Sequence, residues 1–528
     1  MGTCPVASGN ANGPCPNKDT GAREPTVATE LSAPWNWASK TTGAYSTDRK
    51  PGLLRVSVSR GHPAWPIFHG PELEALRDRI ARPARLRPRP PRLGRDSVIK
   101  LSASVIHRVR TTQLGLWAGE RPGDPTMTRT LFRGGSVFDG TGAPPAPGDV
   151  VVEDGTIVDI GVGLDGDEEV DLEGRTLLPG LFDCHVHFTM SGNLDLLSRI
   201  MRPFSLRYFE AVANMEATLR TGITSVREAG GSDMGVKTAV ARGMVRGPRM
   251  QISIVMLSQT GGHGDTYMPS GGCFDWHHEY PGHPSNLVDG PEEMRRRVRE
   301  LVREGADVIK VATSGGVLSP RDDPRHGHFR DDELSVLVAE ATAAGRYVMA
   351  HAQATEGIKA AIRNGIRSIE HGIYIDDEAI SMMLERGTWL VPTMSAPRAV
   401  IAAAESGTRI EESVLRKTHQ VLEEHTGSFR RAVEAGVRVA MGTDSGVGPH
   451  GRNLEELALM VDNSSMTPLE AWVASTSSAA ALCGVDDRLG TISPAKLADL
   501  TVIEGDLSDL LKLGERVWGV WKEGVRLI

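Results

Sequence analysis

Long apolar runs are missing from this 528-residue chain. No stretch approaches the ~20 consecutive apolar residues needed to cross a bilayer, so a membrane-spanning helix is not expected. Cysteine is scarce: Cys4, Cys15, Cys184, Cys273 and Cys483 are odd in number and scattered, with no Cys-x-x-Cys spacing. That pattern argues against a disulfide scaffold and against a zinc-thiolate knuckle. The start, Met1-Gly-Thr-Cys-Pro, has neither the basic residues nor the apolar centre of a secretory signal, and a cytoplasmic location is the expectation.

What is present divides by charge. Residues 1–126 carry 19 Lys/Arg against 10 Asp/Glu, whereas the remainder carries 40 against 57. The first segment includes Arg82-Pro-Ala-Arg-Leu-Arg-Pro-Arg-Pro-Pro-Arg-Leu, whose prolines forbid a helix and whose arginines repel one another. It shows no sustained apolar period, so we read 1–126 as a basic, disordered or non-native extension and Met127 as the natural start. These arginines lack a fold or aromatic platform that would make nucleic-acid binding specific, and no nucleic-acid partner is expected. Peptides from residues 1–126 in the protein made by its own cell would overturn this reading of the extension.

From 127 to 180 the pattern is one of short strands and turns, with Asp154-Gly155 as a hairpin signal, and residues 485–528 repeat it in kind. We expect the two stretches to pair as one small β-sandwich domain. Between them, residues 181–484 alternate strand-like and amphipathic helical segments. The strand-like runs are Leu177 to Phe182, Gly222-Ile-Thr-Ser-Val, Met250-Gln-Ile-Ser-Ile-Val, Asp307-Val-Ile-Lys-Val, Tyr347-Val-Met-Ala-His, Ser368-Ile-Glu-His, Trp389-Leu-Val-Pro-Thr and Arg438-Val-Ala-Met-Gly. Eight strand–helix units predict an α/β fold: a (β/α)8 TIM-like barrel, with the β-sandwich built from both ends of the catalytic region.

Chemistry in such barrels sits at the C-terminal ends of the strands. In a strand, residues two apart share a face, so the imidazoles of His185-Val-His187 can grip one metal ion. Lys310, His351, His371 and Asp444 lie in or at the ends of later strand-like runs. Singly, each has an ordinary explanation: a snorkelling lysine, core histidines, a turn-capping aspartate. Six such placements around one rim point to a shared site. Alternation turns Cys184 toward the core and Glu370 away from the side that carries His371, which leaves Glu370 as a supporting carboxylate.

Leu178-Pro-Gly-Leu-Phe-Asp-Cys-His-Val-His resembles the first-strand signature of the amidohydrolase superfamily. Thr260-Gly-Gly-His-Gly-Asp, Ile309-Lys-Val-Ala-Thr-Ser-Gly-Gly-Val-Leu-Ser-Pro, Ala350-His-Ala, Ser368-Ile-Glu-His-Gly and Gly442-Thr-Asp-Ser-Gly resemble its imidazolonepropionase-like branch. That branch includes prolidase-like metal-dependent dipeptidases, ochratoxinase-type amidases, and enzymes that cleave carbamates and aryl ureas. The resemblance covers about residues 129–528.

It implies two divalent metal ions, zinc by expectation: one held by His185, His187 and Asp444, the other by His351 and His371, with a carboxylated Lys310 bridging them. A lysine ligates metal only when its amine is neutral, and reaction with carbon dioxide makes it an anionic carbamate that two cations stabilise. A water bridging the cations would lose a proton near neutral pH, and Asp444 would take that proton and pass it to the leaving amine. His263 would hydrogen-bond the carbonyl oxygen. The implied function is hydrolysis of an amide-type C–N bond in a dipeptide, N-acyl amino acid or related amide. One departure bears on substrate: some dipeptidases of the branch carry tyrosine two residues past the fifth-strand histidine, where this chain has Gln353.

Gln353, Arg321 and Tyr374 are the substrate-contact candidates, with Arg325 beside Arg321 as a further cation. A carbamate or aryl-urea hydrolase is the alternative. A deaminase of the same superfamily is disfavoured by the bridging lysine, and a non-catalytic scaffold by the complete ligand set. A small-molecule substrate, no membrane partner and assembly as a homo-oligomer complete the expectations.

Overall fold

A computed structural model describes residues 128–268, 270–272, 279–319 and 321–528. The basic segment 1–126 and the proposed start at Met127 lie outside the described residues.

The described residues open on five strands: β1 (Thr130–Val137), β2 (Ala146–Glu153), β3 (Thr156–Gly161), β4 (Glu168–Asp171) and β5 (Thr176–Pro179). Asp154 and Gly155 between β2 and β3 both have positive φ, 49° and 74°, the twist a two-residue hairpin demands. Parallel strands follow. They are β6 (Leu181–Val186), β7 (Ile223–Glu228), β8 (Arg249–Ile252), β9 (Met256–Leu257), β10 (Val308–Ala312), β11 (Tyr347–Ala352), β12 (Ser368–His371) and β13 (Trp389–Val391). The chain closes on β14 (Leu500–Ile503), β15 (Val517–Lys522) and β16 (Val525–Arg526).

The two ends share one sheet, in the order β16-β15-β14-β5-β1-β2-β3, with β4 beside β1. Its apolar face buries Phe132, Val150, Val152, Leu177, Leu500 and Val502 around Trp521, which meets Phe132 edge-on at 5.2 Å. The run Leu177 to Phe182, expected as one strand, is divided. Leu177 and Leu178 belong to β5 and pair with β14, while Leu181 and Phe182 begin β6 and pair with β7. Gly180 makes the crossing possible, since a Cβ there would sit 2.2 Å from Thr224 Oγ1. A uniformly apolar run carries no mark of which sheet each half joins.

β6, β7 and β8 form one parallel sheet, and β9 to β13 another. Every residue of β6, β7, β10, β12 and β13 is buried, as strands covered on both faces must be. Hydrogen bonds link the two sheets at both margins. On one side Asp307 N–H donates to Ile252 O at 2.9 Å. On the other, the segment 438–445 bonds to β13 through Leu390 and to β6 through Cys184 N–H to Met441 O, 2.9 Å, and Asp444 N–H to His185 O, 2.7 Å. The expected strand at Arg438 to Gly442 carries only isolated bridges. Gly442 lies too close to Val391 and His185 for a side chain, and Asp444 turns left-handed.

Helices Leu206–Arg220, Met234–Ala241, Pro291–Arg303, Asp331–Ala343, Thr355–Arg363, Asp377–Arg386 and Glu412–Glu434 separate the strands. Their ends carry the expected signals: Asp376 accepts from Ala379 N–H at 2.8 Å, and Gly387 ends the same helix at φ 64°. No helix among the described residues is long and apolar enough to cross a membrane.

Candidate metal centre

His185, His187, Lys310, His351, His371 and Asp444 all line one cavity of about 210 Å3. Ligand atoms of His185, His371 and Asp444 lie within 4.8 Å of one another. Asp444 Oδ1 is 3.2 Å from His187 Nε2 and 3.5 Å from His185 Nε2. Lys310 Nζ is 3.3 Å from His185 Nε2, and the His351 and His371 ring centres are 4.6 Å apart.

Each imidazole is held by its far nitrogen. His185 Nδ1 meets Glu370 Oε2 at 2.8 Å, His187 Nδ1 meets Gly230 O at 2.7 Å, and His371 Nδ1 meets Thr393 Oγ1 at 2.7 Å. His351 is reversed: its Nε2 meets Gly315 O at 3.1 Å, leaving Nδ1 as the nitrogen outside that bond. Such outer contacts fix ring orientation and tautomer, the usual support of metal-ligating histidines. His371, Thr393 and Asp444 have φ of 71°, 51° and 58°, conformations that non-glycine residues adopt at a cost and that cluster at functional sites.

Glu370 does more than the alternation argument assigned to it. Its carboxylate is fully buried, accepts from the fully buried Arg227 at 2.8 Å, and reaches across the strands to His185. Glu370→Gln is therefore expected to weaken metal binding at the His185 position by about 10- to 100-fold. Competition for zinc against a chelating dye measures it, and unchanged affinity would show the contact to be structural only.

Burial pushes the His185 and His351 imidazoles well below their ordinary range and His371 down to about 3, so these rings stay neutral and able to ligate. Burial also lowers the Lys310 amine to about 8. Among the described residues no carboxylate lies within ion-pair distance of that amine, which instead faces an imidazole nitrogen. Burial opposes ionisation of Asp444, but His185 and His187 hold its carboxyl well below the usual range. Asp444 and Gly230 O raise the His187 imidazole against its burial. Three neutral imidazoles, a fourth paired with an ionised carboxylate and a buried lysine with no carboxylate at ion-pair distance fit a divalent-metal centre.

Of the other sequence candidates, His263 lines the cavity, its ring stacked on His351 with centres 4.2 Å apart. Gln353 lines an adjoining pocket of about 60 Å3, its Oε1 buried without a partner. Arg321, Arg325 and Tyr374 are not on the wall of the cavity: Arg321 bonds Tyr267 O, Arg325 pairs with Asp323, and Tyr374 packs among Val317, Ile373 and Val421. Sequence reasoning passed over Arg199, Arg202, Phe204 and Arg207, which form the outer wall. It also passed over Ser319, Asp322 and Lys417, which gather behind His263. Lys417 left a trace, since it falls in the helical stripe Val414, Lys417, Val421, His425, Ser428, Ala432, where an unsupported charge is out of place.

An α/β chain that gathers histidines, a lysine and an aspartate at the ends of parallel strands defines the class, and the comparisons with known proteins agree. The model of the amidohydrolase family matches residues 176–526, and the chain belongs to that family. It is a metal-dependent hydrolase of carbon–nitrogen bonds. Ochratoxinase of Aspergillus niger is 33% identical over 417 residues, covering 75% of this chain and 86% of that protein. The crystal structure of a Xaa-Pro dipeptidase with methionine in its active site superposes with a TM-score of 0.71 at 33% identity, covering 76% of this chain and all of that one. An imidazolonepropionase of Porphyromonas gingivalis is 26% identical over 399 residues, covering 68% of this chain and 83% of that protein.

Proposed function

We propose that the protein cleaves the amide bond of a dipeptide, N-acyl amino acid or related small amide. The observation that carries this reading is the convergence of four histidines, Lys310 and Asp444 on one cavity. In this reading His185, His187 and Asp444 hold one divalent ion, His351 and His371 a second, zinc in both positions, and carbamylated Lys310 bridges them. When bound, such ions polarise the scissile carbonyl and lower the pKa of water. Asp444, ionised and facing the cavity, accepts the proton of the attacking water and returns it to the departing amine nitrogen. His263, which lines the same cavity, meets the carbonyl oxygen. Met190, Ile200, Phe204, Met256 and Leu318 give the cavity an apolar lining that excludes bulk water and receives an apolar substrate side chain.

We also read the two parallel sheets and the segment 438–445 as a closed (β/α)8 barrel over 181–484, with 127–180 and 485–528 as its β-sandwich. The hydrogen bonds at Asp307, Leu390, Cys184 and Asp444 support that reading. Leu197, Ile200, Met201 and Phe209, each 54–74% exposed, support assembly into a homo-oligomer. The free thiols of Cys184 and Cys483 accord with a cytoplasmic protein.

The test is amine release by the zinc-loaded protein from a library of L,L-dipeptides and N-acyl amino acids. Turnover is expected and identifies the preferred C-terminal residue. Silence with two ions bound would overturn the proposed substrate class in favour of carbamates, aryl amides and ureas.

A further inference from the structure

His263 is packed against His351 and against the loop that carries Gly316, Ser319 and Asp322. One ring face stacks on His351 at an interplanar angle of 14°. The ring also lies against Gly316, where an added Cβ would come 2.2 Å from Cε1 and 2.4 Å from Nδ1. Nδ1 meets Ser319 Oγ at 2.8 Å and lies 3.3 Å from Asp322 Oδ2. Ser319 Oγ–H donates in turn to Asp322 Oδ1. Asp322 is itself fixed, since its Oδ2 accepts from Gly316 N–H at 2.9 Å and its Oδ1 from Lys417 Nζ at 3.2 Å. Lys417, 4% exposed, comes from the distant helix Glu412–Glu434 and also donates to Gly316 O at 2.7 Å and to Asp322 O at 3.0 Å.

Ser319 Oγ also lies 3.4 Å from Gly316 O, and its shorter contact with Asp322 sets the arrangement of protons. An ionised carboxylate only accepts, so the Ser319 hydroxyl proton goes to Asp322 and its lone pair must accept from His263. Nδ1 therefore carries a proton directed away from the cavity, and Nε2 is the nitrogen presented to a substrate. Meeting a carbonyl oxygen requires Nε2 to donate, so the arrangement serves that role when both ring nitrogens carry a proton, with Asp322 Oδ2 3.3 Å from Nδ1.

We propose that Asp322, with Ser319 and Lys417, forms a positioning relay that fixes the tautomer and plane of His263 so that Nε2 addresses the scissile group. This rests on the amide-hydrolysis reading for its catalytic consequence, but the proton arrangement stands independently of it. None of the three relay residues lines the main cavity, so they act through His263 rather than on substrate. Buried networks of this kind hold a ring within the narrow angular range that reaction geometry requires.

A double-mutant cycle on the full-length, zinc-loaded protein tests the proposal. His263→Ala is expected to lower kcat by about 100- to 1,000-fold. Asp322→Asn is expected to lower it about 10- to 100-fold with KM within threefold and zinc content unchanged. The double variant should match His263→Ala alone within threefold, because a relay has nothing to act on once the ring is gone. Losses that multiply in the double variant, or full kcat in Asp322→Asn, would overturn the relay.

The second readout needs no turnover. With 15N-labelled histidine, the His263 ring signal, identified by its loss in His263→Ala, should show a proton on Nδ1 that is lost or exchanges rapidly in Ser319→Ala. A singly protonated ring with its proton on Nε2 would sink the proposal even if the enzyme is active. An Nδ1 proton in a protein that hydrolyses no amide would sustain the arrangement while defeating the functional reading.

Discussion

Asp444→Asn is expected to lower kcat by about three to four orders of magnitude, the largest effect of any single replacement at the centre. Asparagine preserves the size of the side chain and can still offer one oxygen to a cation, but it cannot take a proton and return it. The substitution is also conformationally gentle. Asp444 sits at φ 58°, and asparagine tolerates the left-handed region better than other non-glycine residues. Backbone geometry, including Asp444 N–H to His185 O and Val447 N–H to Asp444 O, should persist. The measurement is steady-state turnover together with zinc content and melting temperature. Full turnover in the variant would refute proton transfer by Asp444, whereas lost zinc at normal stability would assign the loss to ligation.

The second large effect belongs to Lys310→Met. If carbamylated Lys310 bridges two ions, the variant should hold at most one zinc per chain and lose at least about 1,000-fold in kcat. Stability should move in opposite directions with and without metal. In the metal-free protein burial outweighs the attraction of Glu370 and Asp444 for the ammonium, and its pKa falls from 10.5 to about 8. That displacement corresponds to a cost of about 3 kcal/mol for the charged form. Because the folded value is the lower one, the cost is complete below about pH 8 and fades as pH rises toward 10.5. Metal-free Lys310→Met should thus melt above metal-free wild type at pH 7 and lose that advantage by pH 10.5. Adding zinc should reverse the order, since wild type alone gains the second ion. Equal zinc stoichiometry in the two proteins would exclude a bridging lysine.

These replacements fall on residues that the sequence itself exposed, because strand alternation and the end-of-strand rule are local and period-bound. His185 and His187 announce a shared face by spacing alone, and Lys310 stands out between Ile309 and Val311. The relay behind His263 was not legible in the same way. Lys417 is about a hundred positions from Gly316 and Asp322 in the chain, and only the folded loop brings its ammonium to their oxygens. Glu370 was half legible: its supporting character follows from alternation, but its partner His185 lies on a strand 185 positions earlier. The expected eighth strand was misjudged in form because the segment 438–445 pairs on both sides through scattered single bonds rather than a regular ladder. The outer wall at Arg199 to Arg207 escaped because its residues carry no spacing that distinguishes them from a solvated helix entrance.

The sheet assembled from both ends of the chain sets a timetable for biosynthesis. β5 takes β14 as its antiparallel neighbour, Leu178 opposite Thr501, more than three hundred residues later. At about 5–20 residues per second, a ribosome exposes the edge of β5 for roughly 15–60 s before its partner is made. Until then the nascent sheet presents an open ladder of donors and acceptors, the kind of edge that pairs with other chains. Nascent chains stalled before Leu500 should therefore be a preferred cargo of the chaperones that guard emerging polypeptides.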